Sequence, residues 1–109
     1  MRPTMPMIVR SSSRLPTVPE TLAEEMRLHL AEPFPASVEK GLDYGEVDAV
    51  MIGADIYGWA RRARSLSDVD RSKLAQAADE LQRSIGAFPA DAQPYYLRLV
   101  RIARLTLAV

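Results

Sequence analysis

Residues 47–64, VDAVMIGADIYGWARRAR, constrain the fold more than any other stretch of this chain. An apolar run of that length must be covered, and as a buried strand it would need hydrogen-bonded neighbours on both sides. The only other segment with strand character is MIVR, residues 7–10, which could at most add an edge strand to something else. Helical spacing accommodates the stretch better. Val47, Val50, Met51, Ala54 and Gly58 fall on one face, Ile52, Ile56 and Trp59 widen it, and Asp48, Asp55 and Arg62 recur every seven residues as a polar edge. Gly53 and Gly58 each cost about 1 kcal/mol relative to alanine inside a helix. Ala54 and Gly58, four apart, answer that cost with a flat strip on which a neighbouring helix can close.

Three further segments carry helical periodicity. The first starts at Thr17, where Thr17 and Glu20 make a capping-box pattern, and its apolar stripe runs through Val18, Leu22, Ala23, Met26, His29 and Leu30. It must stop at Glu32, because a residue before proline is pushed out of the helical region. Residues 33–45 then read as a connector with room for one helical turn from Ser37, and Phe34 is expected to fold back onto the core. A third helix is capped by Ser67, carries Asp68 and Asp70 at the positive end of its dipole, buries Leu74, Ala77, Ala78, Leu81 and Ile85, and ends at Gly86. The fourth is expected to be capped by Asp91, to hold Pro94 in its first turn, and to bury Tyr95, Leu99, Val100, Ile102, Ala103 and Leu107. The expected architecture is all-α: a small antiparallel bundle of about four helices over residues 17–109, preceded by a flexible basic arm, residues 1–16.

Composition then narrows the chemistry. There is no cysteine, so disulfides, zinc–thiolate sites and thiol nucleophiles are excluded, and a reducing cytoplasm is the expected setting. No apolar run reaches the roughly 18 residues of a membrane span. Basic and acidic residues balance at 14 each, which gives no overall field for a polyanion. Their placement is uneven: residues 1–16 hold Arg2, Arg10 and Arg14 with no acid, and residues 17–60 hold nine acids against Arg27 and Lys40.

Catalytic signals are thin. His29 is the only histidine and sits within an apolar stripe, which points to packing rather than metal ligation, so neither a metal nor another cofactor is expected. No nucleophile elbow or glycine-rich phosphate loop occurs. The best enzymatic arrangement is Asp48 with Asp55, which would stand about 10 Å apart on a helix. That is slightly wide for an acid–base pair across one bond, where inverting pairs run about 6.5–9.5 Å. The arginines are more suggestive. Arg61 and Arg62 close the second helix, where cations suit the dipole, and Arg98, Arg101 and Arg104 line the outer face of the fourth with Leu97 and Leu105 among them. The favoured reading is a non-catalytic protein–protein interaction or accessory module that associates with itself or another protein, through Tyr57, Trp59, Arg61, Arg62, Leu97, Arg98, Arg101, Arg104 and Leu105. Two other readings remain beside it: a nucleic-acid-associated regulator using the arginine clusters, and a small enzyme using Asp48 and Asp55.

Overall fold

A computed structural model describes residues 20–109 of the chain. The expected basic arm and the capping threonine, Thr17, lie outside the described residues. In chain order the elements are α1 (Glu20–Ala31), β1 (Asp43–Tyr44), β2 (Val47–Asp48), α2 (Met51–Ala60), α3 (Asp68–Ser84) and α4 (Gln93–Leu107). Four helices pack into one bundle and the two short strands form a minor hairpin, in agreement with the expected all-α class.

The most amphipathic helix is the one the others share. α4 buries Tyr96, Leu99, Val100, Ile102, Ala103 and Thr106, a stripe at helical spacing wide enough to meet α1, α2 and α3 together. Cross-helix pairs set the directions. Arg71 and Asp79 of α3 meet Leu107 and Arg104 of α4, and Glu25 of α1 and Glu32, just past its end, meet Arg101 and Arg98, so both neighbours run antiparallel to α4. Tyr96 meets Ala49 and Leu99 faces Gly53, which makes α2 run parallel to α4, as expected across the diagonal of an up-down-up-down bundle. The core between them holds Leu22, Ile52, Ile56, Leu74, Leu81, Leu99 and Ile102.

Several local expectations hold. Glu32, the residue before Pro33, follows the last residue of α1, and Phe34 packs back onto the core edge-on to Tyr95, with ring centres 5.8 Å apart. Ser67 caps α3 by accepting from the Asp70 backbone N–H at 3.1 Å, and Leu74, Ala78 and Leu81 are buried as the periodicity requires. Replacing Ser67 by alanine should lower stability by about 1 kcal/mol, readable as a shift in the urea midpoint with unchanged slope.

Others are corrected. α2 begins at Met51, not Val47: Val47 and Asp48 pair with Tyr44 and Asp43 across a two-residue turn, Gly45–Glu46. Gly45 has φ +63°, the left-handed value that the first central residue of a type II′ hairpin turn requires. Asp48 stands outside the helix and its Oδ1 accepts from the backbone N–H groups of Val50 and Met51, at 2.9 and 2.8 Å. The buried face of α2 is Ile52, Ile56 and Ala60, four apart, while Val50, Met51, Ala54 and Gly58 are exposed. The close approach falls at Gly53, where an added Cβ would lie 3.4 Å from Leu99, and Gly58 faces open space. Leu30 is 68% exposed, because the stripe of α1 is narrow and only Leu22 is fully covered. No helical turn forms at Ser37. α4 has no side-chain cap at its start: a 3-10 turn, Ala90–Ala92, leads into it in place of an Asp91 cap, with Pro94 in the first turn as expected.

Candidate functional site

Met51, Ala54, Asp55 and Gly58 leave the outer face of α2 exposed. Beside it a groove of about 330 Å³ runs between α2, the end of the hairpin and α3. Met51, Ile52, Trp59 and Ala77 give it an apolar lining, and Glu46, Asp48, Asp55 and Glu80 surround a single lysine, Lys73. Met51 is 53% exposed there. The hairpin wall is held firmly in place. Ser84, buried at the end of α3, accepts from the Glu46 N–H at 2.9 Å and donates to the Glu80 carbonyl at 2.7 Å. Arg83 adds a two-pronged contact to the Glu46 carboxylate, at 2.7 and 2.8 Å, which holds Glu46 below the usual carboxylate range and raises Arg83.

Asp48 and Asp55 do come to one groove, by a route the periodicity did not anticipate: one from the hairpin, the other from the helix. Asp48 uses a carboxylate oxygen to satisfy two first-turn N–H groups of α2, a capping role that explains it without chemistry. Asp55 lies exposed one turn before Trp59. Among the described residues, no three His, Cys, Asp or Glu side chains converge as a metal site.

The expected interaction residues do not form one surface. Tyr57 points to the α1 side, its ring 5.7 Å from His29, while Trp59 lines the groove on the α3 side. Leu105 packs against the core, whereas Leu97 is 44% exposed. The arginines of α4 face partners within the chain. Arg98 contacts Glu32, and donates to Glu25 at 3.3 Å; Arg101 reaches the same Glu25 at 3.3 Å; Arg104 pairs with Asp79 at 2.8 Å. Each such pair is worth little stability at a surface. Their effect on recognition is larger, because three arginines against three carboxylates leave that face without the excess positive charge a polyanion needs. Arg62 is similarly directed to Asp70, at 3.5 Å, and Arg61 stands on the rim of a cleft floored by Ala23, Met26, Ala60 and Ala63.

His29 is the least expected feature. It sits half-buried between the rings of Tyr57 and Tyr95, and its Nδ1 atom is buried with no hydrogen-bond partner among the described residues. Burial and the nearby Arg98 cation hold its pKa below 6.5, while Glu32 pulls weakly the other way. Burial likewise raises Tyr95. Because the folded value is the lower one, the unfolded chain binds the proton first. Stability should therefore be full above about pH 6.5 and decline as the pH falls from there towards the folded value, levelling off below it. Urea titrations between pH 7.5 and about 5 check this, and His29→Phe, which keeps a ring in the niche, should flatten the dependence.

No protein-family model matches the chain, and no curated protein or solved structure is significantly similar to it. Among the described residues, no helix is long and apolar enough to cross a membrane.

Proposed function

We propose that this chain is a non-catalytic protein–protein interaction module that associates with copies of itself. The observation that carries the reading is the surface left over once the bundle is packed. Large apolar side chains stay exposed on ordered helices, Leu30 at 68% and Leu97 at 44%, while the arginines beside Leu97 are neutralised from within. Apolar anchors with a balanced polar rim are what a protein partner covers, and a few such anchors dominate the energy of a contact. The groove beside α2, with Met51 and Trp59 in an acidic surround, is a second docking site separate from Leu30 and Leu97. A cytoplasmic setting suits a chain with no cysteine.

Sedimentation velocity over a concentration series tests the self-association. Leu97→Asp and Leu30→Asp place a charge at exposed positions where the fold loses little. Each is expected to raise the dissociation constant tenfold or more, equivalent to about 1.4 kcal/mol. Unchanged association in both variants would remove this surface from the account. The nucleic-acid alternative draws no support from α4, whose arginines are engaged. The enzyme alternative is weakened by the capping role of Asp48.

A further inference from the structure

Nothing inside the chain accounts for Gly58. Its backbone is ordinary helix, and among the described residues nothing lies within 4 Å of a Cβ built on it, so neither conformation nor packing requires glycine there. Glycine nevertheless weakens a helix interior more than any residue except proline. Gly58 lies on the face of α2 turned away from the core, in a shallow depression of about 260 Å³ formed by Ala54, Asp55, Gly58, Trp59 and Arg62. Met51, 53% exposed, continues that face two turns earlier.

The charges on this face complement themselves. Asp55 lies three residues before Gly58 and Arg62 four after it, about one turn to either side. The Asp55 carboxylate has no partner among the described residues, and Arg62 reaches only Asp70, at 3.5 Å, longer than a good hydrogen bond. We propose that a second copy of this chain packs here, α2 against α2 and antiparallel, about a two-fold axis close to Gly58. In such a contact residue i meets residue j while j meets i, so Asp55 of each copy pairs with Arg62 of the other. That guanidinium also comes to lie beside the Trp59 ring, where a cation is favoured. The missing side chain at Gly58 lets the two backbones close, and each Met51 covers the turn that follows α2 in the other copy. A polyanion or a uniformly basic partner would satisfy only half of these charges; a second copy satisfies both. The inference rests on the self-association reading and adds a second face to it. Because α2 lies diagonally across the bundle from α4, this face and Leu97 look to opposite sides and can be covered together.

The chain has no cysteine, so one introduced on the axis reports this contact alone. The test is Gly58→Cys in the full chain at tens of micromolar with oxidised glutathione, the cross-linked fraction being read on a non-reducing gel. Gly86→Cys is the control, an exposed glycine past the end of α3 with nothing within 4 Å of an added Cβ. Residues on a two-fold axis face their own copies, within the roughly 4.4–6.8 Å between Cα atoms that a disulfide spans. Inside the dimer the two thiols meet at an effective concentration in the millimolar range, so Gly58→Cys should link at least about tenfold faster than the control. Adding Asp55→Arg or Arg62→Asp to Gly58→Cys sets like charges opposite each other twice and should slow linking about tenfold. Mixing those two proteins makes both pairs opposite in charge and should restore it. All four positions are exposed, so folding is retained, as far-UV circular dichroism checks. Linking no faster than in Gly86→Cys, or linking that ignores the charge changes, would overturn the proposal. If the native mass then still exceeds one chain, self-association stands without this face. Linking as expected, with the mass unchanged by Leu30→Asp and Leu97→Asp, would leave this face as the one that carries association.

Discussion

Tyr96→Ala is expected to remove about 3–5 kcal/mol of stability, the largest loss of any single side chain here. Tyr96 is fully buried where α4 meets the connector and the start of α2. Its ring stacks on Phe88 at 3.9 Å, which stacks in turn on Tyr44 at 4.8 Å, and its hydroxyl donates to the Ala49 carbonyl at 2.7 Å. Truncation therefore opens a cavity and also leaves a buried carbonyl unpaired. Domains of this size have roughly 5–15 kcal/mol in total, so this one truncation removes a large share of the whole. Tyr96→Phe separates the two contributions. It keeps the ring and loses only the hydrogen bond, at about 1–2 kcal/mol, or a melting point lowered by roughly 4–12 °C. Burial also pushes the Tyr96 hydroxyl well above its ordinary pKa, so the hydrogen bond to Ala49 persists across the neutral and mildly alkaline range.

Gly45→Ala is expected to be the next most damaging change, at about 2–3 kcal/mol, although it adds a single methyl to an exposed turn. A Cβ at Gly45 would lie 2.6 Å from the Ser84 hydroxyl oxygen and 2.7 Å from its Cβ, in a backbone conformation with φ +63°. Ser84 has nowhere to go, since its hydroxyl bridges the Glu46 N–H and the Glu80 carbonyl. Gly41→Ala is the control. It too has positive φ, at +89°, but nothing lies within 4 Å of the added carbon, so only the backbone strain of about 1–2 kcal/mol should appear. The difference between the variants, read from urea midpoints, isolates the contact that fixes the hairpin wall of the groove.

The helices were legible in the sequence to the extent that one residue type does one job. Ser67 caps because its hydroxyl is placed to accept from an N–H three residues on, Pro33 ends α1 by sterics, and Leu74, Ala78 and Leu81 repeat at helical spacing. What escaped were features whose partners lie far along the chain. A hairpin of two-residue strands has too few residues for an alternating pattern, and its one cue, the glycine in DYGEVD, was shared with ordinary loops. Ser84 and Thr106 are polar yet buried, because their hydroxyls bond back to the Glu80 and Ile102 carbonyls of their own helices; no hydropathy pattern marks that. Arg98, Arg101 and Arg104 read as an open basic face only until Glu25, Glu32 and Asp79, on other helices, were brought to them. The groove was half legible: Asp48, Asp55 and Trp59 stood out, whereas Lys73 and Glu80 join them only through packing.

The most direct measurement is the mass of the wild-type chain by light scattering across a size-exclusion peak, with absorbance read at 260 and 280 nm. At tens of micromolar the expected result is a whole-number multiple of 12.1 kDa greater than one, with the absorbance ratio of protein alone. A peak at 12.1 kDa, or one carrying excess 260 nm absorbance, would contradict the self-associating module.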